Sequence, residues 1–437
     1  MRDDAKTRLF VRPESPGQGR LRRAALLALV LGPVLVQVFS FVRVGRTIRL
    51  TDEYFYHVQA RSWYFDRDCD YENDMRMAPG FANASLYIAD RTVTGYVRNH
   101  FQTGTAIVSY PLIAVADGLT ALHNAAGLGP LPRDGFSAYY QFVTSMGHTL
   151  LGVLGLLGAY AVAARYFAGW AAALGALATW AGTSAVFYVG YESTHSHAAS
   201  VGWVGLMMLA TDTIRWNGLS WRWLAALGLF AGMTVVTRPQ DVLWVSVPLV
   251  VLAPALWPRW RQPGQKGRVG LGVLLAVVVA VVCYAPQAVV NVRHAGAPVV
   301  NTYASVRVQG RPAVLDWTAP DLLRPLAHPR TGLGRTAPLA LLGVAGVLSL
   351  PWRRERMLTA VTVGFVLSYY AVSCVWWDFT SYGNRYLMSA TPAFAIGLAG
   401  VLAWSARARW RVVAAGLTAL ACVGWQAVRF VGVVYGL

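Results

Sequence analysis

Long apolar runs, broken by short charged turns, set the pattern of this chain. The first run extends from Ala24 to Val44, about 20 residues, which at ~1.5 Å rise per residue spans a ~30 Å hydrocarbon layer. Further apolar segments occur at about 104–122, 137–164, 168–190, 195–213, 221–237, 239–257, 269–289, 336–351, 357–376, 386–404 and 411–431. The pattern predicts an all-α polytopic membrane protein of about 11–13 transmembrane helices.

The charges between the runs assign sides. Arg2, Lys6, Arg8, Arg12, Arg20, Arg22 and Arg23 precede the first run and predict a cytoplasmic basic N-terminus over 1–23. No small-residue cleavage motif follows, so the first run reads as an anchor and not as a signal peptide. Arg215 with Arg222, the run Arg259–Arg268, Arg353-Arg354-Glu355-Arg356 and Arg407–Arg411 read as cytoplasmic turns. Working outward from these, the corner 191–196 and the loops 291–335 and 377–385 fall on the outer face, together with Asp52. The segment 104–122 conflicts with this parity if it crosses fully. It is short and carries Pro111 and Asp117, and the loop 118–136 has Arg133 as its single basic residue, so a re-entrant or partial span is expected there. A missed span elsewhere is the competing explanation.

Two outer loops are large. The loop 45–103 contains Tyr54-Phe55-Tyr56-His57-Val58-Gln59-Ala60-Arg61-Ser62-Trp63-Tyr64-Phe65, whose aromatic and charged mixture suits an interfacial helix in the headgroup plane. The loop 291–335, rich in Pro, Arg and Gly, reads as an irregular cover over a cavity. Residues 24–437 are therefore expected to form one transmembrane domain, with no C-terminal soluble domain.

Composition agrees with this reading. The chain has 437 residues, 56% hydrophobic and 13% charged, with mean hydropathy +0.43, whereas a soluble protein carries roughly 25% charge. The net charge of +18 raises the question of nucleic acid. No basic stripe interleaved with aromatics supports that partner, and helix-end arginines follow from membrane orientation. Cys69, Cys283, Cys374 and Cys422 have no metal or redox spacing.

Candidate chemistry gathers at the outer ends of the runs. Asp52 and Glu53, in Thr51-Asp52-Glu53-Tyr54-Phe55-Tyr56-His57, follow the first run, where carboxylates are costly to hold. They read as a general base or electrostatic partner for an acceptor nucleophile, or as acids capping the next helix. Tyr191-Glu192-Ser193-Thr194-His195-Ser196-His197-Ala198 reads as a metal site, a hydrogen-bonding corner for sugar or phosphate, or a polar turn. On a helix, His195 and His197 at i and i+2 face apart, so a metal is not favoured and no cofactor is expected. Thr237-Arg238-Pro239-Gln240-Asp241 is a further charged interruption, which local Arg238–Asp241 neutralisation would also explain. Arg238, Arg293, Arg307, Arg311, Arg324, Arg330, Arg335 and Arg385 enrich the face that orientation rules deplete, which points to an anionic ligand bound by guanidinium groups. Asp316, Asp321 and Asp378 are too few to neutralise them. Finally, the stretch from Val375 to Tyr386 combines an interfacial Trp376-Trp377 pair with Gly383-Asn384-Arg385, a turn that would carry Arg385 toward a lipid phosphate or simply belong to the aromatic belt.

Taken in order, these motifs resemble the GT-C membrane glycosyltransferases, nearest the branch of protein O-mannosyltransferases and the aminoarabinose transferase of lipid A. The residues that carry the likeness are Thr51 to Ala60, Gly104 to Pro111, Glu192 with Ser196-His197-Ala198, Arg238-Pro239-Gln240, His328-Pro329-Arg330-Thr331-Gly332-Leu333 and Gly383-Asn384-Arg385-Tyr386. Asn99 to Gly104 departs from it, since a Lys-Pro pair is common there in the aminoarabinose transferases. The resemblance implies an inverting transfer of a sugar from a polyprenyl-phosphate donor to an acceptor hydroxyl of a glycan, lipid or protein. The site would face the periplasm or exterior of a bacterial inner membrane. Asp52 would be the base, supported by Glu53. Tyr56, His57, Glu192, His195, His197, Arg238, Arg330 and Arg385 would bind substrate. A transporter or flippase of a lipid-linked sugar, and a non-catalytic subunit of an envelope assembly line, are the rival readings.

Overall fold

The computed structural model describes residues 14–436 apart from 82–83, 309, 350–354 and 377–380. The basic residues Arg2 to Arg12, the turn at Arg353-Arg354 and the Trp377–Thr380 stretch lie outside the described residues. Helices form almost all of the rest. Helix α1 (Pro16–Val44) starts on a capping box between Ser15 and Gln18, with Pro16 in its first turn, and stops at Gly45 in the left-handed conformation (φ 70°). Helix α2 (Thr51–Arg61) follows, then α3 (Gly104–Ala125), α4 (Ala138–Tyr166), α5 (Gly169–Gly182), α6 (Ala185–Gly190), α7 (Ser196–Asn217) and α8 (Trp221–Thr237). Then come α9 (Ser246–Trp260), α10 (Lys266–Ala295), α11 (Pro338–Ser349), α12 (Arg356–Ser373), α13 (Thr391–Ser405) and α14 (Arg409–Tyr435). Eight helical stretches among the described residues are long and apolar enough to cross a membrane, α3 included. Helix α10 outlasts its apolar segment and ends at Gly296 (φ 75°), so the second large loop begins later than its composition indicates.

Contacts near the chain ends of these helices settle the parity question at α3. Thr47, just past α1, donates from its backbone N–H to Gln141 Oε1 (3.0 Å), and the Phe41 and Phe142 rings are 5.0 Å apart. The start of α4 therefore lies on the face where α1 ends, and the whole segment 45–137 leaves from and returns to one face. Glu14 accepts from the Trp170 N–H (2.8 Å), so α4 carries the chain back to the face where α1 begins. Helix α3 does not carry the chain across, despite its length. With α3 set aside, seven of the eight long apolar stretches among the described residues remain as candidate passes, and α5 with α6, α7, α8 and α11 run between them. The face on which α1 ends is called the site face below.

Glycine determines how closely the passes approach. A Cβ on Gly205 of α7 would lie 2.0 Å from the Gly155 carbonyl oxygen of α4, and one on Gly155 would lie 2.2 Å from the Val201 carbonyl. Gly346 of α11 and Gly397 of α13 meet in the same way. Between helices that lipid does not drive together, backbone approach of this kind supplies van der Waals contact that side chains would prevent. By contrast α10 and α14 are mostly exposed, as helices that face hydrocarbon are.

Helix α2 departs from the expected interfacial helix in one respect. Its residues Glu53 to Arg61 are all buried, not half-embedded in headgroups. Ile48, Tyr54, Phe55, Val58, Tyr71, Met75, Phe81 and Phe136 build a small core around it, and Ala60 packs on Ala106 and Ile113 of α3. The loop 45–103 is thus a folded cap on the bundle. Arg61, deep in this cap, donates to Asp74, to Asp66 (2.8 Å) and to the Asp134 carbonyl (2.7 Å).

Gly205→Leu is expected to drive α4 and α7 apart, at a cost of several kcal/mol by the overpacking scale. Fluorescence-detected size exclusion should show an aggregated or absent monodisperse peak. Gly416→Leu, on a part of α14 where a Cβ meets nothing, should leave the peak and melting temperature unchanged.

Candidate active site

The first turn of α2 places its two carboxylates in opposite roles. Leu50 at the N-cap has no side chain to receive the leading N–H groups, and Glu53 does so instead. One Glu53 oxygen accepts from the N–H groups of Arg49 (2.8 Å) and Leu50 (3.1 Å), and the other from the Thr194 hydroxyl (2.6 Å). Glu53 is fully buried. Asp52, one position earlier, points from a different side of the helix and stays partly exposed. Its Oδ2 accepts from Arg385 Nη1 at 2.9 Å and lies 3.9 Å from His195 Nδ1.

Arg385 reaches this position through a tight turn. Gly383 has φ 73°, and a Cβ there would sit 2.2 Å from Ser184 Oγ, so a side chain is excluded on both backbone and packing grounds. The turn feeds the 3-10 segment Arg385–Ala390 that leads into α13. The Tyr386 ring lies 5.8 Å from the Arg385 guanidinium, and Tyr56 and Tyr188 are within its electrostatic reach.

The corner between α6 and α7 supplies the histidines. His195 is the N-cap of α7, with extended backbone (φ −64°, ψ 155°), and is not inside the helix. Helical i, i+2 geometry therefore does not separate it from His197, and the two rings stack with centroids 5.5 Å apart and planes at 17°. His195 Nε2 faces Glu192 Oε2 at 3.6 Å. Burial pushes the Glu53 carboxyl above the usual carboxylate range, and the Glu192 charge adds to this. Burial opposes a charge on His195, but Glu192, Glu53 and Asp52 outweigh it and hold its imidazole above the ordinary value.

Arg238 comes from the junction of α8 with the 3-10 segment Pro239–Val245. It is buried, and with the Gln240 amide oriented oxygen-first, Gln240 accepts from its Nε (3.2 Å) and Nη2 (2.7 Å). Its Nη1 has no hydrogen-bond partner among the described residues. The Asp241 carboxylate makes no direct ion pair with Arg238, although its backbone N–H donates to the Arg238 carbonyl (2.9 Å); the carboxylate accepts from the Ser200 hydroxyl (2.5 Å). Arg238 is within electrostatic reach of Tyr56, His197 and Tyr303.

The fold thus brings together Asp52, Glu53, Tyr56, Glu192, His195, His197, Arg238 and Arg385. It does not bring His57 or Arg330 into this group. His57 turns to the other side of α2, where Nε2 bonds to the Gly135 carbonyl (2.7 Å) under the Phe136 ring, because it is one residue on from Tyr56 and α2 is enclosed all round. Arg330 is exposed in the turn 328–331, whose neighbours are the short helix Leu333–Thr336 and, through Arg335 and Thr336, α14. Tyr303 was not legible beforehand. It belongs to a 3-10 turn, Thr302–Ser305, docked by Thr302 onto the His100 carbonyl (2.7 Å), within reach of Asp52, Tyr56 and Arg238. No local motif marks it, since its place follows from a contact across about 200 residues.

Three residues here offer ligand atoms to a cation. Glu53, Glu192 and His195 each present one, all within 4.8 Å of one another. The set differs from the His195–His197 pair considered from spacing alone. Its Glu53 member already accepts three hydrogen bonds, while Asp52 lies outside it and faces arginine.

The proton balance of this cluster has a measurable sign. Glu53 and His195 both bind protons more tightly in the folded chain than in an unfolded one. The stability this contributes is complete below their ordinary values and is lost as pH rises through the raised ones. The melting temperature in detergent should therefore fall as pH rises above about 6.5, the ordinary histidine value, and His195→Gln should flatten that slope.

No protein-family model matches the sequence, and no curated protein matches it significantly. Solved structures do. The apo crystal structure of ArnT from Cupriavidus metallidurans aligns with 97% of this chain and 66% of its own at 17% identity, TM-score 0.56. ArnT from the same organism bound to undecaprenyl phosphate aligns over 94% of this chain and 65% of its own at 17% identity, TM-score 0.54. The apo oligosaccharyltransferase of Archaeoglobus fulgidus aligns over 95% and 56% at 15% identity, TM-score 0.51. This chain spans just under two thirds of the length of the ArnT chains it matches. The chain thus shares its fold with ArnT and with the archaeal oligosaccharyltransferase.

Proposed function

We propose that this chain is an inverting glycosyltransferase that moves a sugar from a polyprenyl phosphate to an acceptor hydroxyl of a glycan, lipid or protein. One observation carries the reading: Asp52 and Arg385, from opposite ends of the sequence, are in contact at 2.9 Å on the site face, with buried Arg238 nearby. A carboxylate for the acceptor and guanidinium groups for a lipid phosphate are the two halves such a reaction needs. In this reading the site face is the periplasmic or outer face of a bacterial inner membrane.

Asp52 takes the proton of the acceptor hydroxyl as its oxygen bonds to the anomeric carbon. The bond from that carbon to the phosphate oxygen breaks, and the polyprenyl phosphate leaves with the electron pair. Its growing charge is met by Arg385 and by the unpartnered Nη1 of Arg238. A phosphate that engages Arg385 also draws it from Asp52, freeing the carboxylate oxygen to face the acceptor hydroxyl. Glu53, Glu192 and His195 hold the site together, and Tyr56, His197 and Tyr303 line the sugar. The likeness to a structure of ArnT bound to undecaprenyl phosphate supports the donor class. No metal is required, because the two arginines supply the positive charge at the leaving group. A transporter would be expected to hold its charged residues near mid-membrane; here Asp52, Glu192, Arg238 and Arg385 gather at one face.

Asp52→Asn should lower transfer roughly 10²–10⁴-fold, the contribution of a general base, while polyprenyl-phosphate binding and melting temperature persist. Mass spectrometry of envelope glycans and lipids from deletion and D52N strains should reveal one acceptor lacking one sugar in both. Unchanged profiles in D52N would favour the scaffold or transporter reading. Activity should withstand EDTA; loss restored by Mg²⁺ or Mn²⁺ would instead assign a cation to Glu53, Glu192 and His195.

A further inference from the structure

On the face opposite the site, two turns that carry no acidic residues converge on a basic patch. The sequence has no Asp or Glu between Asp212 and Asp241, nor between Asp241 and Asp316. Helices α8 and α10 run side by side in contact, Gly228 against Ala276 and Gly232 against Ala280, so the α7–α8 turn and the α9–α10 turn are neighbours. Arg259 Nη1 lies 3.9 Å from where a Cβ on Gly218 would stand. The described acids at this face are already engaged: Asp212 with Arg165 (3.0 Å), Glu355 with Arg215 (3.0 Å), and Glu14 with Arg22 (3.4 Å). Arg222, Arg259, Arg261 and Lys266 are exposed and have no ion pair among the described residues.

Exposed tryptophans fix how two of these charges are held. Arg222 lies over Trp221 at 5.4 Å and Arg261 over Trp257 at 4.8 Å from ring centroid. A guanidinium that stacks by its face keeps its in-plane N–H edge free, and that edge matches a phosphate bidentately. The indoles are 68% and 58% exposed, at the level where such rings anchor among headgroups. Orientation alone calls for positive charge here. It does not call for arginines set over tryptophans in two turns that are distant in sequence.

We propose that this patch binds the phosphate headgroups of anionic phospholipids, as a site separate from the one that holds Asp52 and Arg385. The full-length protein would be purified and its melting temperature followed while phosphatidylglycerol or phosphatidylcholine is titrated in mixed micelles. Phosphatidylglycerol should raise it saturably and phosphatidylcholine should not. In the double variant Arg222→Gln/Arg261→Gln, apparent affinity for phosphatidylglycerol should fall roughly tenfold or more, the size expected for two lost headgroup contacts. Arg20→Gln/Arg23→Gln, which removes the same charge from α1 on the same face, should retain the parent affinity. Equal losses in both variants, no preference of the parent for phosphatidylglycerol, or an equal shift with soluble polyglutamate would each overturn the proposal. A matching melting temperature of parent and variants in phosphatidylcholine guards against misfolding.

Discussion

The buried carboxylate of Glu53 is the contact on which the site depends. Hydrogen bonds to a charged group contribute about 1.5–3 kcal/mol each, and a buried charge deprived of its partners costs several. Glu53 has three such bonds, two to the backbone ahead of α2 and one to Thr194 of the α6–α7 corner. The same side chain therefore ends one helix, ties it to another part of the bundle, and fixes the direction in which Asp52 faces. Thr47 and Gln141 repeat this tie on the other flank of the segment, between the end of α1 and α4. The cap formed by residues 45–103 is held at its root, and its interior is filled by aromatic side chains.

Much of this was legible in the sequence. The passes could be read because lipid forbids exposed backbone, so each crossing leaves a long apolar run. Asp52, Glu53 and Arg385 stood out because charge at the end of such a run needs a reason. Re-entry of 104–122 could be inferred from Pro111 and Asp117; Asp117 accepts from Tyr140 (2.5 Å), Tyr64 (3.1 Å) and Arg133 (2.9 Å), all on the site face. Other features were hidden for equally physical reasons. The enclosure of α2 depends on what packs against it, and an amphipathic pattern looks alike whether lipid or protein covers it. Helix spacing sets His195 and His197 apart, but an N-cap residue does not obey it. Tyr303 carries no local mark at all.

The two faces of the bundle handle charge differently. On the site face, carboxylates and guanidinium groups from distant segments are pressed against each other and lie close to tyrosines. On the opposite face, acids are absorbed internally by Arg165, Tyr166 and Arg215, and the surplus arginines lie outward on tryptophan. One arrangement pairs charge inside the protein, and the other leaves it at the surface.

The Asp52–Arg385 contact joins residues separated by 333 positions. During synthesis the acidic half is made shortly after the first pass, and it stays without its basic partner until almost every other pass has entered the membrane. The site is therefore closed by one of the last events in assembly. A chain halted at any earlier pass holds the carboxylate but lacks the charge that answers it, so the pair forms only when the bundle is nearly complete.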